Sequence, residues 1–170
     1  MRIQTRPGIR IHREYRNAMR DSVTVHIAAP AEKIWGLVSD ITNTGKFSPE
    51  TFEAEWLDGA TEPAVGVRFR GHVKRNQKGP VYWTVCRIVE CDRDRSFAFA
   101  VLLPNGKTVN TWRYQFEPAG DGTDVTESFA LTPSLPVRIY WALLGWARGR
   151  TNRNGMRETL NRIKAVAEAG

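Results

Sequence analysis

The chain has 170 residues, 41% of them hydrophobic, and its 25 Lys and Arg against 18 Asp and Glu give a net charge of +7. One domain with a real core fits these numbers, and a disordered chain does not. No apolar run approaches the roughly 18 residues of a spanning helix and no apolar signal core opens the sequence, so a cytoplasmic protein is expected.

Met1 to Arg20 shows no clean period and reads as a basic arm, with a short strand over Ile9–Tyr15 as its one regular candidate. The domain proper is expected over 21–170. Val23-Thr24-Val25-His26-Ile27 alternates, the signature of a half-buried strand. Pro30 then sits where a helix opens, with Ile34, Trp35 and Val38 as its apolar side. A second short helix is predicted over Ile41–Phe47, before Ser48-Pro49.

From 51 to 131 the period is two. Phe52, Ala54 and Trp56 alternate with Glu53 and Glu55, and Val67, Phe69, Gly71 and Val73 alternate with Arg68, Arg70, His72 and Lys74. Val81–Glu90 is partly apolar on both parities, which leaves its register open. Ser96–Leu103 follows, then a strand with Trp112, Tyr114 and Phe116 on one face. The Gly120-Asp121-Gly122 turn leads into Val125–Leu131. Seven strands with short turns imply a meandering antiparallel sheet.

Ser134 and Pro136 suit the start of one long helix reaching about Ala169. Its stripe runs Trp141, Leu144/Gly145, Arg148, Asn152, Gly155/Met156, Thr159, Ile163 and Val166, apolar at the ends and polar in the middle. A sheet with one apolar face needs a cover, and this helix is the only long element available. The expected architecture is α+β: a curved seven-stranded antiparallel sheet wrapped around a long C-terminal helix, with two short helices after the first strand closing the open end around a cavity.

Charge is concentrated at the ends. Residues 1–20 carry six Arg and one Glu, residues 134–170 carry seven cations and two Glu, and the body between them is mildly acidic. Cys86 and Cys91, roughly 16 Å apart in an extended strand, cannot form a disulfide.

The order strand, two short helices, six strands and long helix resembles the SRPBCC superfamily, which includes START lipid-binding domains, pollen-allergen-like proteins and polyketide cyclase/dehydrase-type proteins. The resemblance covers about Ser22–Glu168. It is carried by Val25–Trp35, by Gly66-Val67-Arg68-Phe69-Arg70-Gly71, and by Gly155–Lys164, which is similar to cyclase/dehydrase-like members. It implies the helix-grip fold. These motifs carry a fold and no reaction, so function must be argued from a site.

Several chemistries are struck out. There is no Gly-x-Ser-x-Gly elbow and no His-Glu-x-x-His; His12, His26 and His72 are isolated, and the cysteines lack metal-site spacing, so no metal or cofactor is expected. What stands out is Glu127, which shares the apolar parity of Val125, Phe129 and Leu131 and would point a carboxylate inward. Arg148 and Asn152 are candidate partners across the grip. The competing reading is a bulge that leaves Glu127 at the surface, or a structural ion pair. Phe69, Trp83, Trp112, Tyr114 and Trp141 are candidate ligand-lining aromatics, each with ordinary core as its alternative.

The leading expectation is a carrier or sensor for a hydrophobic small molecule, oriented by Glu127, Tyr114 and Arg148. One alternative is a polyketide cyclase or dehydratase with Glu127 as acid/base. Another is docking on an anionic membrane through the basic arm and the Trp-bearing start of the last helix. Nucleic-acid binding is not expected, since no reading motif accompanies the basic ends. The oligomeric state is left open.

Overall fold

The computed structural model describes residues 20–75, 78–133 and 135–169, and the side chains of 135–149 lie outside that description. Strand β1 (Arg20–Ile27) is followed by helix α1 (Ala31–Ser39), a 3-10 turn at Ile41–Asn43 and the single-turn helix α2 (Thr44–Phe47). Six strands come next: β2 (Thr51–Trp56), β3 (Arg68–Lys74), β4 (Val81–Asp92), β5 (Ser96–Leu102), β6 (Thr108–Ala119) and β7 (Gly122–Leu131). Helix α3 (Leu135–Glu168) closes the chain. The sheet order is β1-β7-β6-β5-β4-β3-β2, all pairs antiparallel, so β1 and β2 are the edges. The expected α+β helix-grip architecture is what the chain adopts.

Alternation sorts the side chains. Val23, Ile27, Phe69, Cys86, Ile88, Phe97, Tyr114, Phe116, Val125 and Phe129 form one buried set with Ile34, Ile41 and Phe47 of the small helices. Helix α3 seals this set with Met156, Leu160, Ile163 and Ala167, a helical spacing. Val166, expected on that stripe, is 45% exposed, because the buried line passes through Ala167 instead.

Polar contacts lay α3 along the edge strand. Arg153 Nε donates to Asp21 Oδ2 (3.0 Å) at the start of β1. At its other end, Lys164 Nζ donates to the His26 carbonyl (2.8 Å) and the Ala28 N–H to Glu168 Oε1 (2.8 Å). Fifteen helical residues advance about 22 Å and seven extended ones about 23 Å, so helix and strand stay in register between these ties.

Two strands depart from their expected patterns. A bulge between Thr51 and Glu53 turns Phe52 outward, 49% exposed, while Ala54 and Trp56 stay inside. In β4 the pairs Phe69↔Cys86 and Gly71↔Thr84 put even positions inside and Trp83 outside. A bulge between Ile88 and Glu90 then shifts the parity, so that Cys91 faces Phe97. Both parities of this strand are partly apolar in sequence because its outer face carries the exposed Val81, Trp83 and Val89. The arm expected over 1–20 lies outside the described residues except for Arg20, as does Ser134.

Candidate functional site

Glu127 is the one acidic side chain among the buried residues described, 3% exposed on the inner face of β7. Its neighbours across the ladder are Val23 of β1 and Tyr114 of β6. The Tyr114 hydroxyl donates to Glu127 Oε1 at 2.8 Å, and Oε2 is buried without a hydrogen-bond partner among the described residues. Burial pushes the Glu127 carboxyl up to about 8, against the smaller downward pull of the Tyr114 hydrogen bond. Burial, together with the neighbouring carboxylate, holds the Tyr114 phenol well above its ordinary range. At neutral pH the pair is therefore mostly a phenol bonded to a carboxylic acid.

Glu127 points inward, and its partner among the described residues is Tyr114. Asn152 is half-buried and does not bond to Glu127, and the side chains of Arg148 and Trp141 lie outside the description. Tyr114 was legible as a partner. The two-residue turn Gly120-Asp121 joins Ala119↔Gly122, and counting outward from it sets Tyr114 opposite Glu127.

Aromatic rings extend from this pair over the concave face. Phe69 is buried and packs edge-on against Phe99 (centroids 5.2 Å) and Trp56 (6.3 Å), and Phe99 contacts Phe97 (6.2 Å). Trp112 sits 4.8 Å from Phe129. Trp112, Phe99, Val101 and Leu131 are only half-buried, and they lie toward the end of the sheet from which α3 departs. Tyr114 lines a small pocket of about 40 Å³ together with Val38, Phe47, Phe97, Thr159 and Ile163. Trp83 belongs to none of this. Its expected place in the cavity is corrected by the β3–β4 register, which sets it on the outer face, stacked on His72 (4.2 Å, 6° between planes).

A larger hollow of about 640 Å³ crosses the outer face over Ser22, Ala98, Thr111, Ser128 and Ala130. It is an open trough in which Arg113 pairs with Glu90 and Arg153 with Asp21. The smaller inner pocket is lined by Tyr114, the hydrogen-bond partner of the perturbed carboxyl, and the concave face around this pair is the better candidate site. Among the described residues no group of His, Cys, Asp or Glu could hold a metal ion. Cys86 is a buried thiol pushed up to about 12 by burial, and so inert.

Fold and site define a helix-grip protein with an acid in its concave face. The chain belongs to the polyketide cyclase / dehydrase and lipid transport family, whose model matches residues 20–168. It is similar to the Polyketide_cyc-like protein Cgl2372 from Corynebacterium glutamicum, at 29% identity and a TM-score of 0.57 over 88% of this chain and 91% of that one. Protein Ms6760 from Mycobacterium smegmatis shares the fold at 21% identity, with a TM-score of 0.59 over 88% and 91% of the two chains. So does the di-domain ARO/CYC StfQ from the steffimycin biosynthetic pathway, at 17% identity and a TM-score of 0.63 over 92% of this chain and 53% of that one. No curated protein matches the sequence.

Proposed function

We propose that the protein holds a hydrophobic small molecule against the concave face of its sheet, with Glu127 as the polar anchor. The observation that carries this reading is Oε2 of Glu127, buried without a partner among the described residues while Oε1 is engaged by Tyr114. A carboxyl raised to about 8 is mostly protonated at pH 7, so Oε2 can serve as an O–H donor. A ligand carbonyl or hydroxyl would accept a hydrogen bond from that O–H and relieve an isolation that costs about 1–3 kcal/mol. The half-buried Trp112, Phe99 and Leu131 would supply apolar contact.

The test is native mass spectrometry of the purified protein before and after organic extraction, followed by titration of the extracted compound. A discrete added mass is expected, removed by extraction. Glu127→Leu should weaken rebinding at least tenfold, and Glu127→Gln, which keeps a donor, should weaken it far less. A protein that carries no such mass and binds no member of an aromatic-ketone and fatty-acid panel would overturn the reading.

The same carboxyl supports a second reading, a cyclase- or dehydratase-type enzyme. A general acid works best with a pKa near the working pH, and Glu127 meets that condition. Under this reading Glu127→Gln keeps the ligand and abolishes turnover. Retained turnover would remove Glu127 from the chemistry.

A further inference from the structure

From Gly66 to Val89 the sequence holds six Lys or Arg and no acid. The fold arranges these cations along a ribbon. Pairing of β3 with β4 continues to Lys74↔Val81, whereas pairing of β4 with β5 ends at Val85↔Leu102. Residues Val81–Thr84 therefore overhang β5 by four positions, about 13 Å of extended chain. Near its base the ribbon is neutralised from β2 and the loop after it: Asp58 pairs with Arg68, Glu55 with Arg70 and Glu53 with His72. Toward the tip, Lys74, Arg75 and Lys78 form no ion pair among the described residues, and Glu50, whose carbonyl accepts from the Lys74 N–H, is the acid that stands opposite.

The outer side of the ribbon is apolar where it should be wet. Val81 is 47% exposed, Trp83 38% and Phe52 49%. These are not loose side chains. His72 stacks on Trp83 and sits 4.5 Å from Phe52, and the Arg70 guanidinium lies 4.4 Å from the centre of the Trp83 ring. The β5–β6 turn, at the same end of the sheet, adds the exposed Leu103 and Lys107.

We infer that this β3–β4 ribbon is a docking surface for an anionic lipid bilayer. Lys74, Arg75 and Lys78 meet the head groups, and Trp83, Val81 and Phe52 enter the interfacial layer, which favours Trp beside cations. The pre-stacked ring leaves little side-chain freedom to lose on docking. A nucleic-acid backbone would use the cations but give Val81, Phe52 and Leu103 no role. The inference stands independently of what Glu127 binds.

The test is co-sedimentation of the full chain with vesicles of phosphatidylcholine alone or with one-third phosphatidylglycerol. Binding to the anionic vesicles only, weakening with salt, is expected. Reversing Lys74, Arg75 and Lys78 together to Glu should lower partitioning at least tenfold, and Trp83→Ala severalfold. Replacing Arg2, Arg6, Arg10, Arg13 and Arg16 of the arm with Gln should change it less than twofold. Brominated lipid should quench the wild-type fluorescence, and Trp83→Phe, which leaves the charges in place, should lose that quenching. Absence of binding to anionic vesicles overturns the inference. So does equal binding to neutral ones, or loss with the arm variant while Trp83 stays unquenched.

Discussion

Glu127 couples the site to stability through its titration. Its folded carboxyl is raised from 4.5 to about 8, so folded and unfolded chains are both protonated in acid. As pH rises from 4.5 the unfolded chain ionises first, and stability falls by up to about 1.4 kcal/mol per pH unit until the folded group also ionises near 8. Glu127→Gln removes that loss. Thermal melts should show the variant gaining on the wild type steadily between pH 4.5 and 8 and holding a constant advantage above it. Parity in β7 was enough to expose this residue in the sequence. Arg148 and Asn152 were chosen as partners by helix position alone, whereas Tyr114 required the hairpin register, which the short turn encodes. Trp83 was misplaced for a related reason: without register, an aromatic on a strand partly apolar on both parities has an equal claim to either face.

At the scale of elements, the small helices are held by close backbone approach. A side chain on Gly45, in α2, would collide with the Phe52 carbonyl of β2, and one on Gly122 with the Ile27 carbonyl of β1. Neither obstacle is a side-chain end that can swing away. Gly45→Ala should therefore destabilise the protein by about 1–3 kcal/mol, the usual cost of overpacking, measurable by urea denaturation. The existence and order of all the elements were legible, because periods of two and 3.6 are strong over these lengths. The bulges were not. The turn at Phe52 and the parity shift after Ile88 each insert one residue, and single insertions leave no periodic trace. The slip of the α3 stripe from Val166 to Ala167 is similarly local, a choice between adjacent small apolar residues made by the surface they meet.

For the whole molecule, charged groups set a pH window. Asp58, Glu90 and Glu168 are held below the ordinary carboxylate range by hydrogen bonds from Arg68, from Arg113 and from the Ala28 N–H. Their contribution is present above the unfolded pKa and lost as pH falls through the folded one. His26 is raised, chiefly by its hydrogen bond to Asp124 and then by that to Asp121, so its contribution is present in acid and lost as pH rises through its folded pKa. Glu127 acts in the same direction as His26. Calorimetry should find the highest melting temperature at about pH 5, between the two sets, with a decline toward pH 8. A maximum at pH 8 would contradict the buried, protonated carboxyl. Among the described residues no helix is long and apolar enough to cross a membrane.

The pairing of β1 with β7 also has a consequence in time. Val23 faces Glu127, 104 residues later in the chain, and α3, which lies along β1, follows β7. Contacts that distant are slow to close. On a ribosome the meander β2 to β6 can pair as it emerges, but the first strand has to wait, unpartnered, until nearly the whole chain has been made. The strand that carries the acid is thus seated among the last, and a compound captured there would act on the final closing step rather than on a finished container.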